Sequence, residues 1–585
     1  MRMYKFFSLA LVALALGACS STDDVDNNPN GGKPGEDRYL AVNLQNVGST
    51  PNSRAANGSY EDGTEEESKI SKVRFYFFNA DGSPYLLNNS TNTSGEHVNW
   101  LEPANDYNTG TGDADHTIEQ ISKTVLLING QTSAAPSSVI AVVNPQTMTA
   151  LGDGQHELEE VKTKITDTKF VANDNGSLSN FVMSNSVYVN ANEAVCAAQV
   201  SGHVTTTAEA AQKDPLDIYV ERVVAKVTAN VDTEYKKDGE ADAAWQKGNG
   251  TNWDKDKFGI QVGVINSVEP VYAVVEGWSV ADEDGEAELE KQVSTAWNSA
   301  DLGINPWTTA DYHRSFWSQS VPFLTGGNQP VNHNYTAISS SFGQAVYTLP
   351  NTPTKVSDFA NINDNTLTKF ILATKLVYKD KSTQEWRPAE ICEYKGIEYL
   401  GEGSVAKIIA KENSNIYVKK GETYETLSDN DITFTTTKLE GSQSYNGFKD
   451  YNVIATLKDA ARQDLYVDKG TGDNHDWQSI SAADVNLKLA ATAAEIRKDG
   501  MAYYYTPIRH LGTDPQKVGY YGIVRNHVYK INLQNIKGFG TPVYDPSKVI
   551  DPTVPSNEQT YLAARINVLQ WRVVASDVNL DQTGK

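Results

Sequence analysis

Apolar and polar residues alternate in short runs along this chain, each run stopped by turn-forming residues. No other feature constrains the fold as much. In "RYLAVNLQNVG", Leu40, Val42 and Leu44 fall on one strand face and Ala41, Asn43 and Gln45 on the other. "SKVRFYFFNADG" sets Val73, Phe75 and Phe77 on one face and ends at a glycine turn. "TVLLI", "VIAVVNP", "NFVMSNSVYVNA", "KFILATKLVYK", "YNVIATLK" and "GIVRNHVYKINLQNI" read as further strands. "DIYVERVVAKVTANVD" reads as the longest, with Tyr219, Val223, Ala225, Val227 and Val231 sharing a face. Helices are expected only around 157–165 and 482–498, and "GEGSVAK" at 401–407 reads as a turn. At 585 residues the chain exceeds one ordinary domain, and 42 Gly with 29 Tyr favours strands and turns. The expected fold class is therefore all-β with few short helices, as two consecutive β-sandwich-like domains over 55–212 and 213–585.

The first residues have the anatomy of an export signal. "MRMYKFFSLALVALALGACSS" carries Arg2 and Lys5, then an apolar run over 6–16 that is too short for an ordinary membrane span. "LGAC" is similar to a bacterial lipobox, which makes 1–18 a lipoprotein signal peptide and Cys19 the acylated residue. Lipid is then the anchor of the precursor. The tether that follows is rich in Gly, Asn, Asp and Pro and buries too little to fold alone. Its acidic cluster, Asp23, Asp24 and Asp26, resembles the surface-export signal of Bacteroidota lipoproteins. Cys196 and Cys392 remain, either paired or each a small buried hydrophobe.

Few residues suggest chemistry. A formal charge of −24 repels nucleic-acid phosphate, so no nucleic-acid partner is expected. The chain has no HExxH, CxxC, Walker-type loop or GxSxG elbow. The Asp/Asn-rich loops "NDNGS" (173–177) and "TGDNHD" (471–476) lack the ligand spacing of a calcium-binding EF-hand and read as solvated turns. Neither an enzyme nor a cofactor is expected. Ten Trp and the many Tyr fit sugar platforms as well as strand surfaces.

Two other features remain unexplained. Between Arg38 and Lys69 the only basic residue is Arg54, set in the soft loop "STPNSRAANGSYEDGTEEESK" between two strands. Such loops are where chains are nicked. In "INVLQWRVVASDVNLDQTGK", Leu569, Trp571 and Val573 share one parity, whereas Val574, Val578 and Leu580, with Ser576 between them, share the other. That switch predicts a bulge or bend, with the last strand serving a different surface. Its apolar spacing is comparable with that of Leu40, Val42 and Leu44.

"YVERVVAKV" (219–227), "FVMSNS" (181–186), "YGIVRNHVYKINLQNIKGFGTP" (521–542) and "INVLQWRVV" (566–574) resemble the fimbrillins of Bacteroidota. Within them, the chain is most similar to the major-subunit branch of the minor (Mfa-type) fimbriae, the type V pili. The resemblance implies an outer-membrane lipoprotein precursor cut after Arg54 by an arginine-specific protease, with Ala55 as the new N-terminus. The first strand (Leu40, Val42, Leu44) is then removable, and the tail (Val574, Ser576, Val578, Leu580) is the donor strand for the next subunit. Implied partners are copies of itself head to tail, anchor and tip subunits, and host or bacterial receptors. The mature form would lie in an extracellular fimbria. The family also gives Arg222, Lys226 and 525–527 a structural role. Rival readings are a surface glycan-binding lipoprotein, an anchor or tip subunit, and an unrecognised hydrolase.

Overall fold

The computed structural model describes residues 34–47, 59–60, 63–104, 118–144, 152–166, 170–172, 178–190, 193–231, 260–266, 269–292, 318, 320, 330–352, 367–439, 448–462, 464–510, 519–552, 561–569 and 572–576. Cys19, Arg54, Ala55, Val578, Leu580 and the loop at 173–177 lie outside them.

The first part of the chain supplies β1 (Asp37–Val47), β2 (Ser59–Tyr60), α1 (Glu65–Ser68), β3 (Val73–Phe78), β4 (Ile118–Asn129) and β5 (Ser138–Val143). It continues with α2 (Leu158–Lys162), β6 (Met183–Asn185), α3 (Ala208–Lys213), β7 (Leu216–Arg222) and β8 (Ala225–Val231). Then come β9 (Ile260–Ile265), β10 (Glu269–Ala281), β11 (Ala345–Thr348) and β12 (Lys369–Lys379). The last part holds α4 (Glu402–Glu412), α5 (Ala482–Leu489), β13 (Met501–Pro507), β14 (Val528–Lys537), β15 (Tyr561–Leu569) and β16 (Arg572–Ser576).

The fold is mostly β, in several sheets with few short helices. A nine-stranded sheet carries β1, β7, β6, β5 and β3 side by side, with β4 on the other edge of β1. Its core face is lined by Leu40, Val42, Leu44, Val73, Phe75, Phe77, Val139 and Ile218, all buried. A second sheet runs β2-β16-β15-β14-β8-β11, with β8 parallel to β14. A third runs β9-β10-β12-β13 and ends on Thr541–Pro542. These two share a core, in which Val227, Tyr529 and Ile531 of one sheet meet Trp278, Leu372 and Tyr504 of the other. Burial alternates along β7 over Leu216–Val220, as the sequence periodicity requires, whereas β5 is buried on both faces.

The structure departs from the sequence expectations at four places. The run read as one long strand at 217–232 is two. β7 pairs β1 in the first sheet and β8 pairs β14 in the second, with buried Val223 and Val224 making the step. The chain therefore changes sheets after Arg222, beyond the boundary expected near residue 213. The stretch "GEGSVAK" is not a turn but the start of α4, with Gly401 at φ 83° before it. A Cβ at that φ is strained, so glycine suits the position. The helix expected over 482–498 ends at Leu489, because Ala494–Ile496 pairs as a strand with 392–394. Finally, the segment between β12 and β13 packs a further core of its own, including Val405, Ile409, Ile416, Val485 and Ile496.

Candidate strand-exchange site

β1 begins as a strand because its alternation matches a sheet with one buried face, and the structure places it inside the sheet rather than at its rim. β4 runs antiparallel along one edge over 37–47. On the opposite edge β7 runs parallel against 42–46, and Val204–Thr205 pairs with Tyr39 and Leu40. Both rows of backbone groups on β1 are thus occupied. Leu40, Val42 and Leu44 are completely buried, and Ala41 on the other face is buried as well, where α3 packs against the strand. Burial of the three larger side chains contributes about 1.5–3 kcal/mol each before ordering costs. Asn43 Nδ2 donates to Asp217 Oδ1 at 2.8 Å, and Arg38 Nη2 donates to the Ser133 carbonyl. Without β1, a one-strand slot bordered by β4 and β7 would open over the core.

The chain is fastened again directly after the arginine loop. Thr64 and Glu67 form a reciprocal capping box around α1. Glu67, 2% exposed, then becomes the centre of a buried polar network. Lys226 Nζ lies 2.7 Å from its Oε1, and the Tyr347 hydroxyl donates to the same oxygen. Arg222, completely buried at the end of β7, donates from Nε to the Glu67 carbonyl at 2.7 Å and from Nη2 to Ser68 Oγ at 2.9 Å. Its Nη1 reaches Asn526 Oδ1 at 3.2 Å. Burial pushes the Glu67 carboxyl up, but Arg222 and Lys226 outweigh it and hold the group below its ordinary value. One carboxylate therefore ties the segment after the loop to the step between the sheets.

Glu67→Gln keeps the size of the side chain and removes the buried negative charge that faces Arg222 and Lys226. A loss on the order of 3 kcal/mol at neutral pH is expected from urea unfolding. Because the folded pKa is depressed, this contribution is present above the ordinary value of 4.5 and is lost as pH falls through the lower, folded value. The variant and the parent should therefore converge in acid. An equal gap at neutral and acidic pH would remove the charge of Glu67 from the explanation.

The 525–527 tripeptide is built into the same step. Asn526 adopts a left-handed backbone, φ 56°, and its N–H donates to the Val224 carbonyl at 2.7 Å. Arg525 Nη1 donates to the Leu289 carbonyl at 2.7 Å and Nη2 to that of Glu288. His527 Nδ1 lies 2.8 Å from the Arg525 carbonyl. These contacts, to backbone carbonyls and to Arg222, join the strands on either side of the step.

At the other end, β15 pairs β14, and β16 doubles back antiparallel on β15, with Val574 opposite Val568 and Ser576 opposite Ile566. The chain therefore reverses before Arg572, ahead of the parity switch, and Val573 and Val574 on the two sides of that switch both lie inside β16. β2, just beyond the arginine loop, pairs the other edge of β16, Ser59 with Val573 and Tyr60 with Arg572. β1 and β16 lie in different sheets and are not brought together within the chain. Cys196 and Cys392 are buried and unpaired in different cores. The 471–476 loop closes on Asp468, whose Oδ1 accepts from Gly470 N and Asp476 N and whose Oδ2 lies 2.7 Å from His475 Nδ1. Among the described residues no His, Cys, Asp and Glu cluster is arranged to hold a metal.

Residues 497–577, which hold β13, the 525–527 turn and β14 to β16, match the family model of major fimbrial subunit protein type IV, fimbrillin, C-terminal. Over those residues the chain is similar to the fimbrillin C-terminal family. Solved structures with a similar course include a fimbrilin, FimA, from Porphyromonas gingivalis, at 14% identity over 92% of this chain and 99% of that one, TM-score 0.34. A candidate cell adhesion protein from Bacteroides eggerthii shares 11% identity over 93% and 98%, TM-score 0.33. The tip fimbrial protein Mfa3 of Porphyromonas gingivalis, truncated at its C-terminus, shares 11% over 90% and 99%, TM-score 0.30. No curated protein matches the sequence. The matched region thus contains both the 525–527 turn and the β15–β16 hairpin.

Glu67 was missed as a site residue, although the Thr64-x-x-Glu67 spacing of a capping box is plain in "GTEEESK". Its charge partners lie more than a hundred residues away in sequence and leave no local signal.

Proposed function

We propose that this chain is a shaft subunit of a type V fimbria, which polymerises by protease-activated strand exchange and so supports adhesion at the cell surface. The coarser part, a fimbrial subunit, is supported by the family match over 497–577. On this reading the precursor is exported with lipid on Cys19, reaches the outer membrane, and is cut after Arg54 so that Ala55 begins the mature chain. Residues 19–54 leave with β1. The tail of a neighbouring copy, with Val574, Ser576, Val578 and Leu580 in alternating register, fills the vacated slot. The contact is head to tail and does not close on itself, so copies build a filament, with anchor and tip subunits at its ends.

One observation carries the reading. β1 is a doubly paired strand with Leu40, Val42 and Leu44 completely buried, and it lies upstream of the arginine loop, while the chain downstream is fastened independently through Glu67. A cut in that loop separates a complete structural element from a body that keeps its own attachments. Donation by the tail costs the pairings of β16 with β15 and β2, which the neighbour's slot replaces.

Mass spectrometry of filaments sheared from cells tests the proposal. The expected N-terminal peptide begins at Ala55 and carries no lipid. A lipidated Cys19 peptide, or peptides spanning Leu40 to Leu44, in washed filaments would overturn it and favour a lipid-anchored glycan-binding or anchor protein.

A further inference from the structure

β10 and β12 pair antiparallel in the third sheet, with Ala281 opposite Lys369. Asp282 follows Ala281 directly, so its side chain meets that of Lys369 at the end of the ladder. Lys369 Nζ lies 2.6 Å from Asp282 Oδ2, and both side chains are completely shielded from solvent. The other carboxyl oxygen, Oδ1, accepts from Asn332 Nδ2 at 2.8 Å. Nζ also donates to the Leu367 carbonyl at 3.0 Å. The backbone on the Asp282 side is fixed too, because its N–H donates to Asn332 Oδ1 at 2.8 Å and its carbonyl accepts from Thr368 Oγ1 at 3.0 Å.

Two full charges in such a place are costly, since desolvation takes several kcal/mol from each ion. Burial pushes the Asp282 carboxyl above its ordinary value, against the pull of Lys369 and Asn332. Moving one proton from the ammonium to the carboxylate removes both charges and leaves a neutral amine touching a carboxylic acid. Held in contact, with water excluded and one carboxyl oxygen polarised by an amide donor, these are the two reactants of an amide.

We infer that Lys369 and Asp282 become joined by an amide bond between Nζ and Cγ. The Nζ lone pair attacks Cγ while Asn332 Nδ2–H stabilises the charge that develops on Oδ1. The Cγ–Oδ2 bond then breaks. Oδ2 leaves as water with the carboxyl proton and one proton from Nζ, and the C=O at Oδ1 is restored. One amide and one water form, and no oxidant or further reactant is consumed. The product staples β10 to β12, the two strands with the longest shared ladder in the third sheet.

Intact-mass measurement of the denatured protein tests this directly. The chain should be lighter than its sequence by one water. After trypsin, the peptide containing Asp282 should be found joined to the one containing Lys369, with no cleavage at Lys369. A mass equal to the sequence, with the two peptides separate, would overturn the bond and leave a buried ion pair. So would a lost water that maps elsewhere, for instance to the Lys291–Glu221 contact of 2.7 Å. Asp282→Ala should restore the missing water. If that variant does not fold, the mass of the unaltered protein still decides.

Discussion

Arg54→Ala is expected to abolish filaments of this chain while leaving a folded, exported subunit. As long as 48–58 is intact, β1 remains joined to the body of the subunit, which holds it at its slot at an effective concentration on the order of millimolar. A strand from another copy competes with that tethered strand and with its two ladders and three buried side chains at once. Cutting removes the tether and lets β1 be lost for good. Negative-stain electron microscopy of the variant should show no filaments, and its N-terminal region should still contain Leu40 to Leu44. Filaments of normal number and length from uncut Arg54→Ala protein would defeat the protease-activated mechanism.

Val578→Asp is the complementary change, made in the tail instead of the loop. On the proposed reading Val574, Ser576, Val578 and Leu580 alternate onto one face, and Val578 then sits over the core of the first sheet that Leu40, Val42 and Leu44 leave. A carboxylate there would be buried without a partner, at a cost of several kcal/mol or the uptake of a proton. Residue 578 lies beyond β16, so the variant monomer should fold and be cut as usual. Cleaved monomers with few or no filaments are expected. Abundant filaments would show that 578 is not part of the donated strand, and an unfolded monomer would place it in the core of its own chain.

Much of the strand content was legible. β12 coincides with "KFILATKLVYK", and β1 and β3 carry their apolar residues on the faces that the alternation gives. Sheet membership was not legible. The continuous apolar run through Arg222, Val223, Val224 and Ala225 looks like one strand because the step there is made by distant backbone, Val182 O for Val223 N and Val224 O for Asn526 N. α4 was hidden by Gly401 and Gly403, though Val405, Ala406, Ile409 and Ala410 have the helical spacing of a buried stripe. The candidate site divided in the same way. The face of β1 was readable from period two, whereas its interior position between β4 and β7 is a tertiary fact with no local trace. Donor-strand register stays outside the described residues, and only Val574 and Ser576 have a described backbone.

The two neighbours of β1 have a mechanical consequence. A strand in that slot lies between a ladder on β4 that spans its length and a ladder on β7 along the part held by 42–46, and β7 continues through the two-valine step into β8. Tension applied along such a strand loads its cross-strand hydrogen bonds together, in shear, instead of peeling them apart one after another from an end. In a filament built this way, force passes from each inserted tail into β7 and on into the second sheet. The weakest direction of each joint is then across the strand, where a pull unzips it, and the axis of the filament is the direction in which it yields last.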